Sequence, residues 1–63
     1  MRLGKQHLDE RQTADVLGLK VTTLRDWRLK QTGPVYCKFG RAVRYPLDEL
    51  DKFVEQSRVK TAA

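Results

Sequence analysis

The chain has a single cysteine, Cys37, among its 63 residues. One cysteine cannot form an intrachain disulfide, and it cannot supply the set of thiolates that structural zinc sites use. The single histidine, His7, is not accompanied by a motif of metal-ligand or nucleophile type. The sequence therefore predicts no metal site and no other cofactor, and it fits a reducing, intracellular setting.

Long apolar runs are also missing. A helix that crosses a membrane needs about 18 or more consecutive apolar residues, and no such run occurs. Residues 1–8 lack the apolar stretch of a cleavable export signal. We therefore expect a soluble, cytoplasmic protein that has no membrane partner.

Catalytic patterns are absent from the sequence. It contains no Ser/His/Asp or Cys/His arrangement and no glycine-rich loop of phosphate-binding type. A chain of 63 residues allows one domain with one small core. We therefore expect a single domain over residues 1–63 that is not an enzyme, has no catalytic residue and takes no small-molecule substrate.

Acidic residues are scarce in the middle of the chain, and this is where its positive charge lies. The net charge is +5, from 13 Lys and Arg against 8 Asp and Glu. Between Lys20 and Arg44 there are seven basic residues but only one acidic residue, Asp26. A basic segment of this kind is the electrostatic signature of a nucleic-acid partner, whereas an ordinary soluble surface mixes both signs.

Two short amphipathic segments lie between Asp9 and Lys30 and meet at Gly18. Asp9 and Gln12 have the spacing of a capping box, which predicts that the first helix begins there. Its expected apolar positions are Ala14, Val16 and Leu17, and Gly18 is expected to end it in the left-handed conformation. This pattern predicts a helix-turn-helix.

The second helix is expected to run from about Val21 to Lys30. At about 100° per residue, one side of this helix is apolar and is expected to pack on the core. The opposite side is polar and is expected to face a partner. The packing side contains Val21, Leu24, Trp27 and the stem of Arg28, and the outer side contains Thr22, Arg25, Asp26 and Leu29.

The segment after the second helix predicts a β-hairpin. Pro34 cannot continue a helix and favours extended geometry at Gly33. β-branched and aromatic residues follow, with Gly40 between two runs. Strands are expected near residues 35–38 and 43–45, with residues 40–42 at the tip, and the hairpin must pack on the helices through Tyr36, Val43 or Tyr45.

A third helix is expected after Pro46, with acidic residues in its first turn. Residues 1–7 and 59–63 are expected to be flexible. The order helix, helix, two-stranded wing, helix predicts a mainly α fold with a small β-hairpin, which is a winged helix-turn-helix. The expected apolar stripe of the third helix consists of Leu47, Leu50, Phe53 and Val54.

The motifs also resemble a known family. The run LGLKVTTLRDWR, followed by GPVYCKFGRAVRY and DELDKFV, is similar to the excisionase-like, MerR-related winged helix-turn-helix domains. These include phage excisionases, also called recombination directionality factors, and AlpA-type prophage regulators. The resemblance implies binding to double-stranded DNA in a bacterial host cell, close to the nucleoid.

The resemblance implies that the second helix enters a major groove and that the wing reaches the neighbouring backbone or minor groove. Arg28 has two interpretations, a phosphate contact or a stem that covers Trp27. Asp26 also has two, a contact to cytosine or an ion pair with Lys30. The family commonly has Ser or Thr followed by Pro where this chain has Lys20 and Val21, so the helix loses a cap. The predicted DNA-binding residues are Lys20, Thr22, Thr23, Arg25, Asp26, Arg28, Lys30, Lys38, Arg41 and Arg44.

Three functions are compatible with these features. The first is an excisionase that binds an attachment site, with DNA bending by several copies, and assists an integrase. The second is a prophage or plasmid transcription regulator of the same fold. The third is the DNA-binding end of a phage packaging protein, which predicts that the chain is a fragment of a longer protein. RNA binding is disfavoured because the aromatic residues are expected in the core.

Overall fold

The computed structural model describes residues 6–59. Three helices and three short strands are arranged in these residues, in the order expected for a winged helix-turn-helix apart from an additional first strand. Only two residues of the predicted flexible start, Gln6 and His7, are described, and most of both predicted flexible ends lies outside the described residues. The elements are β1 (His7–Leu8), α1 (Glu10–Leu17), α2 (Val21–Leu29), β2 (Cys37–Phe39), β3 (Ala42–Pro46) and α3 (Leu47–Gln56).

The capping box predicted for α1 is confirmed. The backbone N–H of Gln12 donates to Oδ1 of Asp9 at 2.8 Å, and the backbone N–H of Asp9 donates to Oε1 of Gln12 at 3.0 Å. Gly18 ends the helix with φ 69°, the left-handed conformation that glycine adopts at little cost. Local sequence therefore determines both ends of α1.

The start of α2 has no side-chain cap. Lys20 is the N-cap residue and has extended backbone, but its side chain makes no capping hydrogen bond. A lysine ammonium has no acceptor for the free amides of the first turn. The missing cap expected from the sequence is confirmed, and α2 depends on packing for its stability.

The sheet differs from the predicted two-stranded hairpin. It has three antiparallel strands in the order β1-β3-β2, because His7 pairs with Pro46 and Leu8 pairs with Tyr45. The expectation that His7 belongs to a frayed arm is therefore wrong. β1 could not be recognised from the sequence, because a two-residue strand has no measurable alternation.

The hairpin itself is confirmed, with shifted boundaries. Its strands are β2 and β3 instead of residues 35–38 and 43–45, and Phe39 pairs with Ala42. The turn consists of Gly40 and Arg41 alone, so Ala42 belongs to a strand and not to the tip. Gly40 has φ 62°, and a turn this short needs such a conformation.

The core lies where α1, α2 and β3 meet. Ala14, Leu24 and Tyr45 are buried together, and Leu17, Val21, Trp27 and Val43 pack around them. Thr13 is also buried, and its hydroxyl donates to the backbone oxygen of Asp9 at 2.8 Å, which satisfies the polar atom. The predicted packing of Tyr45 and Val43 against the helices is therefore confirmed.

Two predicted core positions are wrong. Val16 is 63 % exposed and Val54 is 43 % exposed. In an eight-residue helix the buried side includes Thr13, Ala14 and Leu17, and Val16 lies about 100° away from that side. The short helices bury only a narrow stripe, so apolar residues at its margins stay in solvent.

Trp27 fixes the segment that joins α2 to the wing. Its ring lies 5.7 Å from that of Phe53 in α3. A Cβ atom added to Gly33 would lie 2.7 Å from Cε3 of Trp27, and Gly33 has φ +85°. The extended geometry expected at Gly33 is therefore wrong, because the chain passes directly against the indole and needs a positive φ.

None of the helices in residues 6–59 has the length and apolar character that crossing a bilayer requires.

Candidate nucleic-acid interface

An open depression of about 400 Å³ lies where α1, α2 and β3 come together. We call it the arginine depression, because five arginines and two acidic residues contribute to its lining. Its surface is therefore net positive, and guanidinium groups at one concave surface are well suited to bind phosphate. The lining residues are Asp9, Glu10, Arg11, Arg25, Arg28, Arg41, Ala42, Val43 and Arg44.

Arg25 projects from α2 and pairs with Glu10 of α1. Its Nε donates to Oε1 at 3.2 Å, and its Nη2 donates to Oε2 at 2.7 Å. The Arg25 side chain is still 59 % exposed. No carboxylate lies one turn further along α2, where residue 29 is a leucine. The partner lies 15 positions away in the sequence, so only the crossing of the two helices brings it close.

The Arg28 side chain is much less exposed than that of Arg25. Its Nη1 donates to the Tyr45 hydroxyl at 2.8 Å, and its Nη2 donates to Oε1 of Glu10 at 3.2 Å. The guanidinium carbon lies 5.7 Å from the ring centre of Tyr36, a cation–π distance. With only 18 % of the side chain exposed, the guanidinium connects α1, α2 and β3. Neither interpretation made from the sequence included these contacts, and the phosphate contact of Arg28 stays a prediction.

Glu10 is thus shared by two arginines, and its acidity reflects this. The hydrogen bond from Arg25 lowers the pKa of the Glu10 carboxyl below its ordinary value of 4.5, against an opposing effect of partial burial. Arg28 lowers it further. In the same way, the hydrogen bond to Glu10 raises the pKa of Arg25. The carboxylate is therefore ionised at neutral pH and neutralises part of the charge of the depression.

The wing contributes two further arginines to the depression. Arg41 is exposed in the two-residue turn, and Arg44 is half-buried in β3, with its Nη1 donating to the backbone oxygen of Val43 at 2.8 Å. Arg25, Arg41 and Arg44 therefore line one concave surface. The expectation that these cations gather on one side of the molecule is confirmed for these three residues.

The other predicted contact residues do not line the depression. Asp26 and Lys30 form the predicted ion pair, with Nζ and Oδ2 3.0 Å apart. The remaining predicted contact residues lie at the start of α2 and in β2, and all of them are at least partly accessible to solvent. Thr22, Lys20 and Lys38 are exposed, and Thr23 is half-buried.

The side chains of metal-ligating types within residues 6–59 form no cluster suited to a metal ion. Among them no three His, Cys, Asp or Glu side chains are grouped closely enough to hold an ion. The Cys37 thiol is half-buried in β2. The chemistry that this surface can perform is the binding and orientation of an anion by guanidinium groups.

Comparison with known proteins agrees with this geometry. No curated protein matches the chain significantly. A family model described as "Helix-turn-helix domain" matches residues 8–58, which includes every helix and the wing. The chain therefore belongs to this helix-turn-helix family, and it forms a small DNA-binding domain of winged helix-turn-helix architecture.

Proposed function

We propose that the domain binds double-stranded DNA specifically, with α2 in a major groove and the wing turn at the adjacent backbone or minor groove. The observation that supports this arrangement is that Arg25 of α2 and Arg41 and Arg44 of the wing line one depression. A single duplex can therefore contact all three residues. Phosphate contacts would supply affinity and register, and base contacts would supply specificity.

The individual roles are proposed from the family resemblance and from the positions of these residues on α2 and the wing. Thr22, Thr23 and Arg25 would read base edges from α2, while Arg41 and Arg44 would contact the backbone or a narrow minor groove. Asp26 would act through its ion pair with Lys30. For Arg28 the buried position favours support of the interface over a phosphate contact. The remaining cations, Lys20, Lys30 and Lys38, would add general attraction to phosphate.

We further propose that the protein is an excisionase, or recombination directionality factor, acting in the cytoplasm of a bacterial host. The support is the resemblance of its helix and wing motifs to that group. A domain with one short α2 makes few base contacts, so copies bound side by side would strengthen binding and bend an attachment site. The bent DNA would then assist an integrase, and the domain would carry out no chemistry of its own.

The proposed interface can be tested by measuring how the affinity for duplex DNA depends on salt, for the wild type and for matched variants. Fluorescence anisotropy would measure the affinity for a labelled duplex over a salt series for the wild type, Arg41→Gln and Arg58→Gln. Arg58 is a suitable control because it is exposed beyond α3, where it pairs with Glu55. Each phosphate contact contributes about 0.9 to the slope of log affinity against log salt. We expect Arg41→Gln to lower the slope by about that amount and Arg58→Gln to leave it unchanged. Equal slopes for all three proteins would contradict the interface.

The recombination role needs a separate experiment. A footprint on the surrounding genomic DNA would locate the binding site, and a phasing gel would detect bending. We expect cooperative binding, a bend, and increased excision when the protein is added to purified integrase and attachment-site DNA. Unchanged excision, with an effect on promoter output alone, would indicate a transcription regulator instead.

A further inference from the structure

Glu10 lies outside α2 but contacts its most exposed arginine. It is the first residue of α1, and both of its carboxylate oxygens are used. Oε1 accepts from Nε of Arg25 and from Nη2 of Arg28, each at 3.2 Å, and Oε2 accepts from Nη2 of Arg25 at 2.7 Å. The carboxylate therefore fixes the direction of the Arg25 guanidinium.

The geometry of the pair leaves a defined set of donors on Arg25. A guanidinium has five N–H groups in a planar fork. Glu10 occupies the edge formed by Nε and Nη2, so the two N–H groups of Nη1 and the second N–H of Nη2 remain. These form the end of the fork, which can donate two parallel hydrogen bonds. Guanine offers two matching acceptors, O6 and N7, in the major groove.

Glu10 is itself held in place by a second contact. Arg28 is largely buried and binds both Glu10 and the hydroxyl of Tyr45, which is 1 % exposed. The chain of contacts runs from the core through Arg28 and Glu10 to Arg25. The orientation of Arg25 is therefore linked to the rigid part of the fold, although the side chain itself is exposed.

We propose that Glu10 is a positioning residue for base recognition. It holds Arg25 so that the end of the guanidinium fork reads one guanine in the major groove. The proposal rests on the proposed placement of α2 in that groove. It adds a specificity determinant that lies in α1 and does not itself contact DNA.

A simpler role for Glu10 makes the opposite prediction. A carboxylate close to DNA repels phosphates, so if it only neutralised charge its removal would strengthen binding to every sequence. If it positions Arg25, its removal weakens discrimination at one base pair and leaves the other positions unchanged. The two roles are therefore separated by comparing sequences, not by affinity alone.

In the experiment, the full wild-type chain first selects its preferred binding site from a random duplex library. The affinities of the wild type and of the variants for that site are then compared. The variants are Glu10→Gln, Arg25→Lys and Glu55→Gln, and anisotropy then measures each protein on the selected duplex and on one with the guanine replaced by adenine. Arg25→Lys keeps the charge but lacks the fork. Glu55→Gln removes an acidic partner of an arginine, Arg58, on α3, and so controls for the change in net charge. Thermal unfolding of each variant verifies that it is folded.

We expect the wild type and Glu55→Gln to prefer the guanine by roughly 5- to 150-fold, the range of one bidentate contact. Glu10→Gln and Arg25→Lys should both lose most of that preference at the same position, and a double variant should lose no more than Arg25→Lys alone. An unchanged preference in folded Glu10→Gln, or a uniform gain in affinity, would overturn the role of Glu10. Absence of any selected sequence or duplex binding with the wild type would instead overturn the proposed function.

Discussion

Arg28 donates a 2.8 Å hydrogen bond to the hydroxyl oxygen of Tyr45, and this contact joins α2 to β3. The same guanidinium reaches Glu10 in α1. Three elements that contribute to the arginine depression are thus connected through one side chain. The relative position of α2 and the wing, and with it the spacing of any DNA contacts, depends on this small polar network.

Removal of the Tyr45 hydroxyl should therefore destabilise the fold. Tyr45→Phe leaves a largely buried guanidinium without one of its acceptors, and hydrogen bonds to charged groups contribute about 1.5–3 kcal/mol. We expect the free energy of unfolding, measured by urea denaturation, to fall by about that amount. Tyr36→Phe removes the same group from a ring that is 38 % exposed and should have a small effect. Equal losses for the two variants would contradict the structural role of the Tyr45 hydroxyl.

Gly33 should not tolerate a side chain. The new Cβ of Gly33→Ala would lie 2.7 Å from the Trp27 ring at a φ of +85°, so steric overlap adds to a left-handed backbone cost of about 1–2 kcal/mol. Gly40→Ala, at φ +62° with no atom of the described residues within 4 Å, should incur the backbone cost alone. We expect Gly33→Ala to be the more destabilised variant, measured by denaturation followed through the fluorescence of Trp27. Equal destabilisation would show that the contact with Trp27 relaxes freely.

A cap at the start of α2 should stabilise the protein. Lys20→Ser places a hydroxyl at an N-cap whose backbone is already extended, and a capping hydrogen bond contributes about 1 kcal/mol. We expect a higher melting temperature. The same substitution removes a positive charge, so it should also weaken DNA binding at low salt. A melting temperature that is unchanged or lower would indicate that the serine hydroxyl does not reach the first-turn amides.

The pKa of Glu10 offers a direct test of its pairing with Arg25. Because the folded-state pKa lies below the ordinary value of 4.5, the carboxylate contributes stability above about pH 4.5, and this contribution is lost as the pH falls through the folded-state pKa. NMR titration of the Glu10 side-chain carboxyl carbon should show the lowered value. In Arg25→Gln the pKa should rise towards the ordinary value, whereas in Arg58→Gln it should not move. An unshifted Glu10 in the wild type would contradict the ion pair.

The ends of α1 were predictable from sequence because they depend on neighbours a few residues apart. Asp9 with Gln12 fixes the start of α1, and Gly18 fixes its end. The pair Asp26 and Lys30 was likewise predictable, since residues one turn apart on a helix are always close. The order of helices and wing followed from these local signals.

Several of the wrong predictions concern contacts between distant segments. His7 was expected in a free arm but pairs with Pro46 in the sheet. Val16 was expected in the core but faces solvent, because the crossing of α1 and α2 decides which stripe is covered. The contacts of Arg28 with Tyr45 and Glu10 were not predicted, because they depend on where the wing and α1 pack against α2.

The sequence by itself therefore determined the order of the helices and the wing, and the concentration of positive charge in the second helix and the wing. Only the tertiary structure decided that Glu10 pairs with Arg25, that Arg28 is partly buried in a polar network, and that Arg41 and Arg44 line the same depression as Arg25. The physical reason is range. Capping and helix periodicity act over three or four residues, whereas the geometry of the interface arises from the packing of segments 15 or more residues apart.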